Sequence, residues 1–130
     1  ARIKEEDIEN QANYEYWNGT NKEWIKGDEG QATVLIGGTV GELSLIYNST
    51  YKKWIIAYFN SADYNITMRI ADDITGPWDT KFVLATGAEY PQLYGSFFHP
   101  LSSTGDYLYF TMSMWQPYNV FLMKVELSDK

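Results

Sequence analysis

Cysteine is absent from this chain of 130 residues, and histidine occurs only once. The lack of thiols excludes disulfides, thiolate metal sites and cysteine nucleophiles. The apolar runs are far shorter than the roughly 20 residues that a membrane helix needs, so we expect no membrane insertion. No phosphate-binding loop, dinucleotide fingerprint or His-Glu-x-x-His pattern occurs, and the sequence predicts no cofactor and no metal site.

Positive charge is also scarce. Ten Lys and Arg residues face 17 Asp and Glu residues, which gives a formal net charge of -7. A negative field of this kind disfavours binding to nucleic acid and to anionic lipid. Aromatic residues, by contrast, make up 17% of the chain and include 11 Tyr and 5 Trp. These side chains favour strands, and they present flat, amphipathic faces to sugars or to protein partners.

From Asn13 onward, short apolar segments alternate with residues that form turns. No segment after the polar N-terminus keeps a 3.6-residue apolar period for three turns, so helix is expected only in the first dozen residues or nowhere. The pattern therefore predicts an all-β chain of antiparallel strands. The expected strands are Tyr14–Trp17, Ala32–Ile36, Glu42–Tyr47, Lys53–Phe59, Ile66–Ala71, Lys81–Ala85, Gly95–His99, Tyr107–Met114 and Val120–Leu127.

The second half of the chain contains an internal repeat with an offset of 54 residues. A period of about 50 residues with several strands per unit is typical of a β-propeller, whereas a sandwich of two similar hairpins is the alternative. The aligned pairs are Gly41 with Gly95, Trp54–Tyr58 with Leu108–Met112, and Tyr64–Met68 with Tyr118–Leu122.

We interpret the chain as a partial β-propeller that belongs to a larger domain. Residues 1–12 form a polar N-terminal segment, 13–36 the outer strands of one blade, 42–86 a complete four-stranded blade, and 94–127 three strands of the next blade. A closed propeller needs about four blades or more, so sheet edges should remain open. Open edges favour pairing, and we expect a homo-oligomer that forms through exposed strand edges.

Three Asn-x-Thr sequons begin at Asn18, Asn48 and Asn65. They matter as glycosylation acceptors only in a eukaryotic secretory pathway, and we interpret them as coincidental.

Three segments carry a resemblance to a known family: Val40–Asn48, Met68–Asp72 leading to Gly76-Pro77-Trp78, and Tyr94–Pro100 followed by Tyr107–Trp115. Together they resemble the C-terminal half of a bacterial domain-of-unknown-function family of glycosidase-like five-bladed β-propellers, which includes endo-D-arabinanases. The resemblance implies an extracellular or cell-surface bacterial protein that acts on a polysaccharide, with a furanose polymer as the preferred substrate.

The same resemblance limits what the chain can do alone. In related glycosidases a catalytic carboxylate lies in an early blade, and this chain does not contain that region. We therefore expect the isolated chain to be inactive. The alternative is a carbohydrate-binding or protein-interaction propeller module without catalysis.

Glu42 is the catalytic candidate, because it follows Gly41 at the start of the complete blade and glycoside hydrolysis needs two carboxylates. The alternative is a Glu that binds loop amides. By family resemblance, His99 is expected to bind substrate, and its alternative is a buried histidine satisfied by backbone. The repeat predicts that Glu42 and His99 face one cavity, with Tyr94 beside them.

Arg69 and Tyr58 complete the set of predicted substrate-binding residues. A charged residue in an apolar strand usually has a carboxylate partner, which Asp72, Asp73 or a preceding blade could supply to Arg69. Tyr58, Tyr94, Trp115 and Tyr118 are candidates for stacking on sugar rings, although most members of an aromatic set like this belong to the core.

Overall fold

The computed structural model describes residues 1–127 and divides the chain into two compact units, Ala1–Ile36 and Gly37–Lys130. The strands are β1 (Glu15–Asn18), β2 (Glu23–Lys26), β3 (Leu43–Asn48), β4 (Lys53–Asn60), β5 (Asn65–Ala71), β6 (Thr80–Thr86), β7 (Leu93–Phe98), β8 (Tyr107–Met114) and β9 (Asn119–Glu126). They pair antiparallel into sheets of two, four and three strands, which confirms the all-β prediction.

Within residues 1–127, helical structure is limited to four short 3-10 turns, Glu5–Asp7, Gln11–Asn13, Glu29–Gln31 and Pro100–Ser103. The last two lie beyond the first dozen residues, so the expectation that helix stays there was wrong for these turns. Both follow a side chain that caps them: Asp28 accepts from the amide of Gly30, and His99 from that of Leu101. Over residues 1–127, no helix has the length and apolarity needed to cross a membrane.

The first unit is built on the hairpin β1–β2. Trp17 lies opposite Trp24, and their ring centroids are 5.3 Å apart. The predicted strand Ala32–Ile36 was wrong, and the four-residue strand β2 was not predicted. The amide of Ala32 donates to the carbonyl of Glu29 and closes the preceding 3-10 turn. The amide of Thr33 donates one hydrogen bond to the carbonyl of Trp17, and this single bond does not form a ladder of paired strands.

The four-stranded sheet has the order β3-β4-β5-β6. Its strand β4 is apolar at consecutive positions because it is buried on both faces: Ile55 and Ala57 on one face and Ile56 and Tyr58 on the other are all buried. The pairing of β5 with β6 shifts register between Ile66 and Thr67.

The three-stranded sheet has the order β7-β8-β9 and contains a register shift at Gly95. Gly95 has φ +59, a conformation that favours glycine. Gly41, its partner in the sequence repeat, serves another purpose: a Cβ there would lie 2.9 Å from the carbonyl oxygen of Phe59. The two aligned glycines are therefore required for different reasons: Gly95 for its positive φ, and Gly41 for the close approach of the Phe59 carbonyl.

The sequence repeat is visible in the geometry of these two sheets. Strands β4 and β8 each have eight residues and begin 54 residues apart, as do the starts of β5 and β9. The residues that precede β5 and β9, Tyr64 and Tyr118, both have positive φ, at 51° and 55°. Strands β3 and β7 lie side by side, where the amide of Phe98 donates to Ser44 Oγ at 3.0 Å.

One hydrophobic core joins the four- and three-stranded sheets. Its buried members are Ile55, Ala57, Ile66, Met68, Ala85, Leu93, Phe98, Leu108, Phe110, Met112 and Leu127. A residue near the middle of this core, such as Met68 or Phe110, is almost completely buried. The two sheets therefore form one structural body over a shared interior.

Candidate functional site

The neighbouring contacts of β3 and β7 define a common direction for the two sheets. Ser44 is hydrogen-bonded to Phe98, and Asn48 is hydrogen-bonded to Ser102. Both partners lie 54 residues further along the chain, so the two segments run in the same direction and β3 and β7 are parallel. Strands β3, β5, β7 and β9 consequently all begin at one end of the sheets. We call this the Glu42 end, because Glu42 directly precedes β3.

Glu42 lies exposed at this end. Its carbonyl oxygen accepts from the amide of Phe59 at 3.2 Å, which holds the backbone to β4. Within residues 1–127 its carboxylate makes no hydrogen bond and no ion pair, so it does not serve the loop-binding role of the structural alternative. The carboxylate is therefore exposed and free to meet a ligand.

His99 has a defined structural task. It directly follows β7 and is exposed, and its Nδ1 accepts from the amide of Leu101 at 3.2 Å. The ring thus caps the 3-10 turn Pro100–Ser103, in the tautomer that leaves an Nε2 proton to donate outward. The 54-residue offset aligns Glu42 with Ser96, and His99 follows Ser96 by three residues. Three residues of strand rise separate the positions of Glu42 and His99 along the strand direction by roughly 10 Å. No hydrogen bond in the described chain joins the two side chains.

Aromatic side chains gather at the Glu42 end of the three-stranded sheet. Tyr94 is exposed near the start of β7, and Trp115 and Tyr118 are 63% and 88% exposed in the hairpin between β8 and β9. The amide of Trp115 bonds to the carbonyl of Gln92 at 3.2 Å, which holds this hairpin beside the start of β7. We call Tyr94, Trp115 and Tyr118 the aromatic rim.

Arg69 and Tyr58 form a separate cluster on the four-stranded sheet. The Arg69 Nε donates to the Tyr58 hydroxyl at 3.0 Å, and its guanidinium donates to the carbonyl of Trp78 at 2.7 Å. Asp72 instead pairs with Lys53, and Asp73 bonds to Thr75, so neither is the partner suggested for Arg69. Arg69 is half-buried and Tyr58 is 2% exposed, so the tyrosine ring does not reach solvent in this chain.

Two further carboxylates belong to the Glu42 end, and both are engaged. Asp63, in the turn after β4, accepts from Asn60 at 2.9 Å and from Lys81 at 3.2 Å. Glu89, after β6, accepts from the hydroxyl of Thr86 at 2.8 Å. Among residues 1–127, no group of three or more His, Cys, Asp or Glu side chains could hold a metal ion.

At the opposite end of the sheets, a turn that was not predicted from the sequence connects the end of β3 to the segment after β7. Asn48 is fully buried; its Oδ1 accepts from the amides of Thr50 and Tyr51, and its Nδ2 donates to the carbonyls of Ser102 and Gly105. The Asn-x-Thr pattern is not a specific signal for this turn, because Asn60 makes the same turn without it. Asn18 makes the same turn in the first unit, and Asn65 accepts from Thr67 within β5.

All three sequon asparagines are buried and hydrogen-bonded. The three asparagines therefore have structural roles, in two related turns and one strand contact. The interpretation of the sequons as coincidental stays a prediction.

A cavity of about 290 Å³ lies at the end of the sheets opposite the Glu42 end, and its lining includes Tyr51, Lys53 and Leu127. The Tyr51 hydroxyl donates to Asp106 at 2.9 Å, and this hydrogen bond raises the pKa of the phenol above its ordinary value of 10.0. Lys53 is paired with Asp72. Tyr51 and Lys53 thus already have polar partners, and none of the predicted site residues lines the cavity.

Comparison with known proteins identifies a family. The sequence model of a family described as a domain of unknown function (DUF4185) matches residues 1–124. No curated protein matches the chain.

Proposed function

Because the chain belongs to the DUF4185 family, whose function is unknown, we propose its role from its own geometry and from the resemblance of its motifs. The proposal is that it contributes blades to a glycoside-hydrolase-like β-propeller that acts on a polysaccharide. The resemblance favours a furanose polymer as the substrate and an extracellular or cell-surface bacterial location.

The packing of the two larger sheets supports the propeller part of the proposal. They repeat at 54 residues, their first strands β3 and β7 run parallel side by side, and they share one core. Blades of a propeller are related in this way, with equivalent strands adjacent around a central axis.

The aromatic rim at the Glu42 end is the observation that carries the carbohydrate-binding part. Three exposed aromatic side chains stand at the end where a free carboxylate also lies. Aromatic faces pack against the apolar faces of sugar rings, and polar groups beside them bind the hydroxyls. With a net charge of -7, the chain favours a neutral polysaccharide over an anionic one.

The catalytic part of the proposal assigns Glu42 as one of two carboxylates. Hydrolysis of a glycosidic bond uses a pair, and the second would come from outside this chain, since Asp63 and Glu89 are engaged locally. In a form of the protein that cleaves a polysaccharide, Glu42→Gln should lower the rate at least about a hundredfold while the fold survives. An unchanged rate would show that Glu42 is not a catalytic residue.

A non-catalytic binding module is the second candidate, and the same local bonds favour it. Because Asp63 and Glu89 are committed to Asn60, Lys81 and Thr86, the described chain offers a binding surface but no free carboxylate pair at the Glu42 end. The isolated chain is then expected to bind a polysaccharide without cleaving it.

Binding can be tested directly by affinity electrophoresis and calorimetry with soluble arabinan and fructan, against dextran as a pyranose polymer. Trp115→Ala should weaken binding to the furanose polymers about tenfold, the loss of roughly 1.4 kcal/mol. The matched control is Tyr107→Ala, which removes an exposed aromatic from the opposite end of β8 and should leave affinity unchanged.

Equal loss of affinity in the Trp115 and Tyr107 variants would contradict a site at the Glu42 end. No binding of any of the three polymers by the wild-type chain would remove the support for carbohydrate as its ligand.

A further inference from the structure

The three-stranded sheet lacks a strand that its counterpart in the repeat possesses. Strand β9 begins 54 residues after β5, and β5 is paired on both sides, with β4 and with β6. Strand β9 is paired only with β8, and no strand within residues 1–127 lies beyond it. The position that β6 holds in the four-stranded sheet is therefore open in the three-stranded sheet.

The open edge of β9 presents backbone groups at alternate residues. The amide of Leu127 donates to the carbonyl of Asp106, and this bond sets the alternation of the β8–β9 ladder. Phe121, Met123 and Val125 consequently bond to β8. The residues whose amides and carbonyls point away from β8 are Val120, Leu122, Lys124 and Glu126. These backbone groups have no partner strand among residues 1–127.

Strand β5 uses the equivalent backbone groups to bind β6. The amide of Gly87 donates to the carbonyl of Tyr64, and this bond sets the alternation on that side of β5. The residues of β5 that face β6 are Ile66, Met68 and Ile70. The 54-residue offset aligns them with the first three residues on the open edge of β9. The chain therefore already contains one example of the pairing that β9 lacks.

The side chains around this edge also lack cover. Val120 and Leu122 are 68% and 64% exposed, whereas Met68, which aligns with Leu122, is completely buried and lies opposite Phe82 of β6. On the core side of the sheet, a cavity of about 290 Å³ lies between Leu127 and residues of the four-stranded sheet that include Phe82. A fourth strand would cover the exposed pair with one of its faces and extend the side chains of its other face toward the cavity.

We propose that β9 binds an extended segment of another polypeptide, antiparallel to β9 and in the register that β6 adopts on β5. The partner has the chemistry of Thr80–Thr86, the segment that forms β6: apolar and threonine residues with one lysine and no acid. A segment without acidic residues also suits a chain with a net charge of -7. Backbone hydrogen bonds supply the affinity of strand addition, and the side chains that meet Val120 and Leu122 supply its specificity. This contact does not depend on a polysaccharide ligand.

A second copy of the chain matches this edge less well. Residues that face the edge pair with one another, so Val120 lies opposite Lys124 or Glu126 in the two antiparallel β9–β9 registers that use most of the strand. Cross-strand pairs stabilise a sheet when both side chains are apolar or carry opposite charges, and neither condition is met there. In the register of β6, by contrast, Leu122 meets a phenylalanine and Val120 meets an alanine.

The experiment uses a synthetic peptide with the sequence of residues 79–87, which contains β6, and hydrogen exchange of the isotope-labelled chain followed by NMR. The amides of Val120, Leu122 and Lys124 should exchange about tenfold more slowly when roughly nine tenths of the chain is bound. The amides of the intervening residues Phe121 and Met123 already bond to β8, so they should change much less.

A pair of N-methylated peptides provides the matched control, because both keep every side chain. A methyl group on the amide of the residue that corresponds to Phe82 should abolish the protection, since that amide faces β5 in the parent strand. A methyl group on the amide that corresponds to Lys81 should leave the protection unchanged, since that amide points away from β5.

A variant of the chain tests the same edge. Leu122→Pro removes an amide that points away from β8 and none that bonds to it, a position at which an edge strand tolerates proline. The peptide should then no longer slow exchange at Lys124. Retained protection of Met123 verifies the β8–β9 ladder, and the two N-methylated peptides decide the outcome if this variant does not fold.

Three results would overturn the proposal. Equal slowing of the alternate and the intervening amides would indicate binding to a face of the sheet instead of its edge. Protection of the edge amides that increases with chain concentration in the absence of peptide would show that a second copy takes this position. Unchanged exchange at every peptide concentration would show that β9 does not accept a strand of this chemistry.

Discussion

At the scale of single residues, Arg69 illustrates how a charged side chain in an apolar strand is accommodated by neutral partners. We expect Arg69→Met to lower the free energy of unfolding by about 1–3 kcal/mol, because it leaves the buried Tyr58 hydroxyl and the Trp78 carbonyl without their donors. Urea unfolding followed by tryptophan fluorescence measures this loss.

A double-mutant cycle separates the tyrosine contact from the rest. In a Tyr58→Phe background, Arg69→Met should cost less than in the wild type, since the hydroxyl that it orphans is already gone. Equal costs in both backgrounds would show that the Arg69–Tyr58 hydrogen bond contributes nothing to stability.

A second residue-scale prediction concerns pH. The Thr75 hydroxyl and amide both donate to Asp73, and these hydrogen bonds lower the pKa of its carboxyl below the ordinary 3.8. Because the folded-state pKa is depressed, the stabilisation is present above 3.8 and is lost as pH falls through the folded-state value. Thr75→Val should therefore raise the Asp73 pKa. The loss of stability caused by this substitution should disappear at pH values below the folded-state pKa, where Asp73 is protonated.

Side-chain carboxyl NMR titration reads the Asp73 pKa directly, and Thr75→Ser keeps a hydroxyl as the control. A Thr75→Val variant with an unchanged Asp73 titration would mean that the backbone amide alone sets the pKa.

At the scale of elements, the turn that begins at Asn48 joins the end of β3 to the segment after β7. Asn48→Ala removes two acceptor and two donor contacts of one buried carboxamide, so we expect a cost of at least about 2 kcal/mol in unfolding free energy.

Asn48→Asp is the informative comparison. It keeps the oxygen that accepts from Thr50 and Tyr51, but it places a second oxygen against the carbonyls of Ser102 and Gly105. It should therefore destabilise at neutral pH at least as much as Asn48→Ala does. Wild-type stability in Asn48→Asp would contradict the donor role of the amide.

At the scale of the whole molecule, the four- and three-stranded sheets share one core and should unfold together. Met68→Ala removes a completely buried side chain from that core and should cost about 2–5 kcal/mol. Native-state hydrogen exchange should then show weaker protection in both sheets. Leu101→Ala, which truncates an exposed side chain, should change stability by less than about 0.5 kcal/mol. Lost protection confined to the four-stranded sheet would contradict a single cooperative core.

Association belongs to the same scale. The sequence indicated strand edges as the means of oligomerisation, and this remains a prediction. The structure also leaves apolar side chains exposed on the outside of the two larger sheets, with Leu122 at 64% and Leu43 at 55%.

The sequence by itself determined the all-β class, most strand positions and the 54-residue repeat. These are local properties: alternation of apolar segments with turn residues is set by backbone geometry within a few residues, and a repeat copies it. The same logic missed β2, which has only four residues, and wrongly predicted a separate strand at Ala32–Ile36, where the apolar residues have no partner strand.

Only the tertiary structure decided which side chains meet. Arg69 binds a hydroxyl and a carbonyl instead of a carboxylate, His99 caps a turn, and the sequon asparagines lie buried in turns and strands. Contacts between residues far apart in the sequence, such as Arg69 with Tyr58 and Asn48 with Ser102, depend on sheet register and on how sheets pack, and no local pattern encodes these. For the same reason, equivalent residues such as Met68 and Leu122 differ fully in burial: their sequence context repeats, but only one of them has a neighbouring sheet.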